Sequence, residues 1–191
     1  GRISVGFMRQ ASKPHRHMKR LIESGDVGEL LEVRSFLEDS SGPAADRQTG
    51  IPSLIVDTVI HNLDEIDWLV DRKPLSINAS GSRICSRRAS DREYDSLNVQ
   101  ITYDGAVAGA TSSWHHVAGN RVETEVLGTK GKIHLAYVDT PRGDEPSAFG
   151  PHFQVTLTKP GSPTTQVDRF VVRAAEAGEP QFIPPFEDAY R

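Results

Sequence analysis

Apolar residues return every third or fourth position across residues 56–70, where Val59, Leu63, Ile66, Leu69 and Val70 fall on one face. That period predicts a helix packed against a core. A second, more basic helix is expected from Ser12, a good N-cap, with Pro14 near its first turn and Met18, Leu21 and Ile22 at helical spacing. It should stop at the turn made by Ser24, Gly25, Asp26 and Gly28. Elsewhere the texture is that of strands. Residues 3–8 and 30–37 are strand candidates before the long helix, and 75–79, 96–103, 106–113, 121–127, 132–137, 154–158 and 165–172 follow it. Asp104-Gly105 is a hairpin signal between two of these, Gly128-Thr129-Lys130-Gly131 a glycine-rich turn between two others, and Pro160-Gly161-Ser162-Pro163 a third turn. Residues 40–52 are polar and rich in glycine and proline, long enough for a lid or binding loop.

Helices near the start followed by a run of strands predict an α+β fold, a predominantly antiparallel sheet with helices packed on one face. The other face then needs a cover, so a homo-oligomer formed through the sheet face is expected. The chain fits one domain, residues 1–191. Residues 3–8 read as a strand that has lost its predecessor, and Phe186-Glu187-Asp188-Ala189-Tyr190-Arg191 as a helix that has only opened; both suggest a piece of a longer protein. A net charge of −4 argues against a nucleic-acid partner, and no apolar run approaches the length of a membrane span. Cys85 is the only cysteine, which precludes an internal disulfide and suits a reducing, cytoplasmic setting.

The chemistry concentrates in the long helix. Asp57 and His61 stand at i and i+4, so both side chains lie on one face a turn apart. A carboxylate beside an imidazole raises its basicity and can fix its tautomer, and such a histidine suits removal of a hydroxyl proton as a hydride leaves carbon. The same spacing also occurs in ordinary helices, where the pair is only a surface interaction. Asp64 and Asp67 continue the helix, but with no second histidine at helical spacing the set is a weak metal site. Trp114-His115-His116 follows a strand, where an indole could stack on a sugar ring and a histidine bind hydroxyls, or where the indole simply caps the core. His15 and His17 share a basic face with Lys13, Arg16, Lys19 and Arg20, expected to be solvated. No G-x-G-x-x-G opens a strand–helix unit.

Taken in order, four segments resemble one family. These are Val5-Gly6-Phe7-Met8-Arg9 with the helix that follows, the D-x-x-x-H-x-x-D run from Asp57 to Asp64, the Gly128-Thr129-Lys130-Gly131 turn, and Phe186-Glu187-Asp188. Together they resemble the C-terminal domain of the glucose–fructose oxidoreductase and inositol dehydrogenase family. The resemblance implies an intact enzyme that oxidises a sugar, inositol or related polyol, with NAD or NADP held by an N-terminal Rossmann domain that this chain lacks. It implies His61 as acid/base, Asp57 as its orienting partner, Arg9 as a substrate contact, and, more loosely, Trp114 and His115 as pocket residues. Gly50-Ile51-Pro52-Ser53 departs from the family's paired glycines. The chain alone should neither bind cofactor well nor turn over. Two other functions compete: a non-catalytic binding or oligomerisation module of the same fold, and a metal-dependent hydrolase, which a chelator would inhibit.

Overall fold

The structure, a computed structural model, describes residues 7–40, 53–84, 94–138, 152–161 and 166–171. Among the described residues there are three helices, α1 (Met8–Ala11), α2 (Lys13–Glu23) and α3 (Ile60–Val70), and a π-helical segment, Ile55–Val59, that leads directly into α3. Eight strands follow the expected positions to within a few residues: β1 (Leu30–Glu38), β2 (Pro74–Ser82), β3 (Ser96–Tyr103), β4 (Ala106–Ser113), β5 (Arg121–Gly128), β6 (Lys132–Val138), β7 (His152–Thr158) and β8 (Gln166–Val171). They form one sheet in the order β2-β3-β4-β1-β5-β6-β7-β8.

Every neighbouring pair is antiparallel except β1 and β4, which run parallel. The parallel pair arises because the chain leaves β1 through α3, crosses one face, and re-enters the sheet at its far edge as β2. Two hairpin-linked antiparallel steps then bring β4 back beside β1. Alternation along the strands sends Val33, Ser35, Val99, Ile101, Ala108, Ala110, Thr124, Val126, Ile133, Leu135, Val155 and Leu157 to the helix face, where they are buried. There α2 covers β6, β7 and β8, and α3 covers β1 and β4. The α+β architecture with helices on one face is therefore as the hydrophobic pattern predicts.

The expected strand at residues 3–8 is only partly within view. Residues 3–6 lie outside the described residues, Phe7 is extended, and Met8 opens α1 instead. A short apolar run is compatible with either element, and what decides it is Arg9, which the helical turn points into the core. The long loop expected at 40–52 and the late helix at 186–191 lie almost wholly outside the described residues. The Gly128 to Gly131 turn serves the fold. Thr129 N and Lys130 N donate to Glu29 O and Val27 O at 3.0 and 2.7 Å, and Thr129 Oγ1 accepts from Glu29 N at 3.0 Å. Gly128 sits so close to the Val27 carbonyl that any Cβ would collide with it. Among the described residues no helix is long and apolar enough to cross a membrane.

The second face of the sheet bears a ladder of charge. Arg34 pairs with Glu32 at 2.8 Å and Glu125 at 3.8 Å, Lys132 with Glu125, and Arg121 with Glu38 and Glu123 at 3.1 and 2.9 Å. The Arg121 guanidinium lies 4.0 Å over the Phe36 ring. A shallow concavity of about 440 Å³ spans β2, β3, β4 and β1 on this face, with Val107, Asn98 and Gln100 in its floor.

Candidate active site

The π-helical segment and α3 form one continuous rod, with Asp57 in the wider turn and His61 a turn further on. Wider turns of this kind recur at functional sites because they displace side chains from the regular helical track. Two bonds hold the segment's start: Val56 N and Asp57 N both donate to Ser53 O at 2.9 Å. Its middle is held from behind, where the Trp114 indole Nε1–H donates to Thr58 Oγ1 at 3.0 Å. Trp114 is 7% exposed and belongs to the core. In this domain it is therefore a structural anchor for the segment beside His61.

His61 is half-buried, with Phe7 meeting its ring edge-on at a centroid distance of 6.1 Å. Burial pushes its pKa below the usual histidine value, the Arg9 cation pushes in the same direction, and Asp57 opposes both. The imidazole is thus kept neutral near pH 7, able to accept a proton. Its Nδ1 is buried and has no hydrogen-bond partner. Asp57 is exposed and makes no hydrogen bond or ion pair with His61, so it acts on the ring through space. A further carboxylate, Asp39 at the end of β1, is close enough to Asp57 to be affected by it. Burial first, then Asp57, raise the Asp39 pKa.

Arg9 lies beneath this surface. The residue is 5% exposed, and Nη1 donates to Glu65 Oε2 and, at 3.0 Å, to Ser35 Oγ. Glu65 is wholly buried on α3, one turn beyond His61, and also accepts from Ser35 Oγ and Thr124 Oγ1 at 2.7 Å each. Ser35 and Thr124 face each other across β1 and β5. Arg9 is thus engaged inside the protein through Nη1, while its Nη2 is buried with no hydrogen-bond partner. His15 completes the cluster, its Nε2 3.7 Å from Glu65 Oε1 and its Nδ1 3.0 Å from Ser12 Oγ. Burial lowers the His15 pKa to about 4, outweighing the pull of Glu65. At neutral pH that contact is therefore polar and not an ion pair. The expected solvated basic face accordingly loses His15 to the core, while Lys13, Arg16 and Arg20 remain exposed.

His115 is exposed, its Nε2 3.2 Å from Asp95 Oδ1. His116 Nδ1 lies 2.6 Å from Gly119 O. Asp64 accepts from Gln10 Nε2 at 2.9 Å and is raised in pKa chiefly by burial. Among the described residues no group of three histidine, cysteine or acidic side chains is placed to hold a metal ion. Between α3 and β2 runs a mainly apolar groove of about 490 Å³ lined by Phe7, Ile60, Leu63, Leu75, Ile77 and Tyr103, with the carboxylates Asp64 and Asp67 also in its wall.

The pattern in the long helix led to Asp57 and His61 but not to Glu65 or Asp39. Thr58, Asn62 and Glu65 form a polar row at helical spacing on the buried side of the rod. A search for apolar periodicity passes over such a row, although its spacing is visible in the chain. As for the dinucleotide implied by the resemblance, the described residues do not fit it. Among the described residues no glycine-rich turn leads from a strand into a helix N-terminus, the arrangement that cradles a pyrophosphate.

A helix-backed, mostly antiparallel sheet with a half-buried histidine in its long helix defines the class of this chain's fold, an α+β domain. The chain belongs to the GFO/IDH/MocA family, whose C-terminal domain matches residues 15–134. It is 29% identical over 141 residues to an inositol 2-dehydrogenase of Corynebacterium glutamicum, covering 74% of this chain and 40% of that protein. It is 35% identical over 134 residues to an inositol 2-dehydrogenase of Leifsonia xyli subsp. xyli, covering 70% of this chain and 38% of the relative. In fold it is similar to the crystal structure of a myo-inositol dehydrogenase from C. glutamicum, with a TM-score of 0.66 at 20% identity over 76% of this chain and 44% of that one. A comparable likeness links it to the aldose-aldose oxidoreductase of Caulobacter crescentus, with a TM-score of 0.66 at 16% identity over 87% and 47%. The chain spans well under half the length of these curated relatives.

Proposed function

We propose that the intact protein is an NAD- or NADP-dependent oxidoreductase that acts on a sugar, inositol or related polyol, and that this domain supplies the proton acceptor and the substrate side of the site. The observation that carries this reading is His61: half-buried, kept neutral by burial and by Arg9, and held on a rod fixed at both Thr58 and Glu65. The names of the related inositol dehydrogenases supply the substrate class. The nicotinamide would take the hydride, and its binding falls to a part of the protein beyond this chain. Within this chain, His61 accepts the hydroxyl proton, and the carboxylate of Asp57 favours the imidazolium that results. Arg9 and Trp114 support the site from behind.

Substituting His61→Ala in the intact protein should lower kcat by roughly 10²- to 10⁴-fold while the fold and cofactor affinity are kept. Turnover that survives the substitution would favour the alternative, a non-catalytic binding or oligomerisation module. The 191-residue chain alone should form no NADH or NADPH from inositols or sugars. We further propose that a second copy covers the charged sheet face; sedimentation showing only monomer at micromolar concentration would remove that part of the reading.

A further inference from the structure

The cluster under His61 is larger than helix packing requires. A buried carboxylate on α3 could be satisfied by the hydroxyls of Ser35 and Thr124, yet it also takes an arginine delivered by a separate four-residue helix. Placing two charges in a core is costly, and well-packed apolar residues of equal volume often serve stability as well or better. The pair therefore calls for a purpose other than holding helices together. Its position suggests one. Glu65 is one turn past His61 on the same helix, and Phe7, two residues before Arg9, packs edge-on against the His61 ring.

We propose that Arg9 and Glu65 are positioning residues for His61: the buried carboxylate anchors the guanidinium beneath the site and ties α3 to the sheet a turn beyond the imidazole. The inference rests on the reading of His61 as proton acceptor. An arginine cannot lose its charge in the physiological range, so the anchored cation is a permanent bias toward the neutral, proton-accepting imidazole. Left free, a long cationic side chain would swing to solvent and the bias would be screened. Among the described residues the charged groups around His61 are Arg9 from α1, Asp57 from the π-helical segment, and Asp64 and Glu65 on its own helix, with Asp57 acting in turn on Asp39 at the end of β1. Asp57 opposes the bias and is exposed to solvent, whereas Arg9 is shielded from it. The two together would set the histidine between a neutral resting state and a stabilised imidazolium.

The test is an NMR titration of His61 in the 191-residue chain, read from its ring proton and nitrogen shifts without any need for turnover. The double substitution Arg9→Gln with Glu65→Gln removes both charges and retains most of the shape and hydrogen bonding. It should move the His61 midpoint upward. Thr124→Val removes one hydrogen bond from the same carboxylate without touching a charge; it should lower the unfolding midpoint and leave the His61 titration in place. If the double variant fails to fold, Arg9→Met with Glu65→Met replaces both buried charges by apolar side chains of similar length and carries the same expectation of an upward shift. A His61 midpoint that stays at the parent value when Arg9 is neutralised overturns the proposal, because the pair would then be a structural lock alone. That outcome is separate from the fate of the catalytic reading: loss of turnover in His61→Ala concerns His61, whereas the titration concerns its coupling to Arg9.

Discussion

Trp114 and Thr58 show how one hydrogen bond can fix the shape of a site from behind. A buried indole N–H and a buried threonine hydroxyl satisfy each other at 3.0 Å, and the contact falls on the turn between Asp57 and His61. Trp114→Phe keeps most of the packing but strands the hydroxyl, at a cost of about 1–3 kcal/mol. Urea unfolding should show that loss, and combining Trp114→Phe with Thr58→Val should cost clearly less than the sum of the two single changes. Simple additivity would mean that the bond contributes nothing of its own. Polar residues buried in this way, Asn62 and Glu65 among them, are where a helix ceases to be an amphipathic rod and becomes part of a site.

At the scale of elements, the sheet has two faces of different chemistry. One is sealed by α2 and α3. The other carries the ladder from Glu32 through Arg34, Glu125 and Lys132, with exposed Val107 in the floor of the concavity. Isolated surface ion pairs add little stability, so a ladder of this length makes better sense as a complementary surface. Because Val107 is already exposed, Val107→Arg should leave the unfolding midpoint within about 0.5 kcal/mol of the parent. If a second copy covers this face as proposed, the variant should sediment as a monomer where the parent does not. A variant that associates as the parent does would show that a second copy does not use this face.

For the molecule as a whole, the buried cluster ties stability to pH. His15 titrates near the ordinary histidine value of 6.5 when unfolded but only at about 4 when folded, because burial outweighs the attraction of Glu65. The unfolded chain therefore binds the proton first. Stability is at its plateau above pH 6.5 and falls as the pH drops from there toward 4, by as much as about 1.4 kcal/mol per pH unit for this one group. Urea midpoints between pH 7.5 and 4.5 should trace that loss, and His15→Gln should flatten it. An unchanged slope in the variant would assign the acid sensitivity elsewhere.

Most strands, the core face of α3 and the Asp57–His61 pair could be read from the chain alone, since period, turn residues and helical spacing are local properties. The family motifs were likewise visible as short runs. Glu65, Arg9 and Trp114 could not be placed that way. Arg9 and Glu65 are 56 residues apart, as are Thr58 and Trp114, and nothing in the local pattern of either partner marks the other. Whether an arginine greets a substrate or is spent on a buried carboxylate depends on which strand and which helix fold over it. The parallel pairing of β1 with β4 was hidden for the same reason, being set by the route of α3 across the sheet. Local sequence determined the elements and the candidate base; long-range packing alone decided which charges surround that base, because burial and Coulomb interaction act through space rather than along the chain.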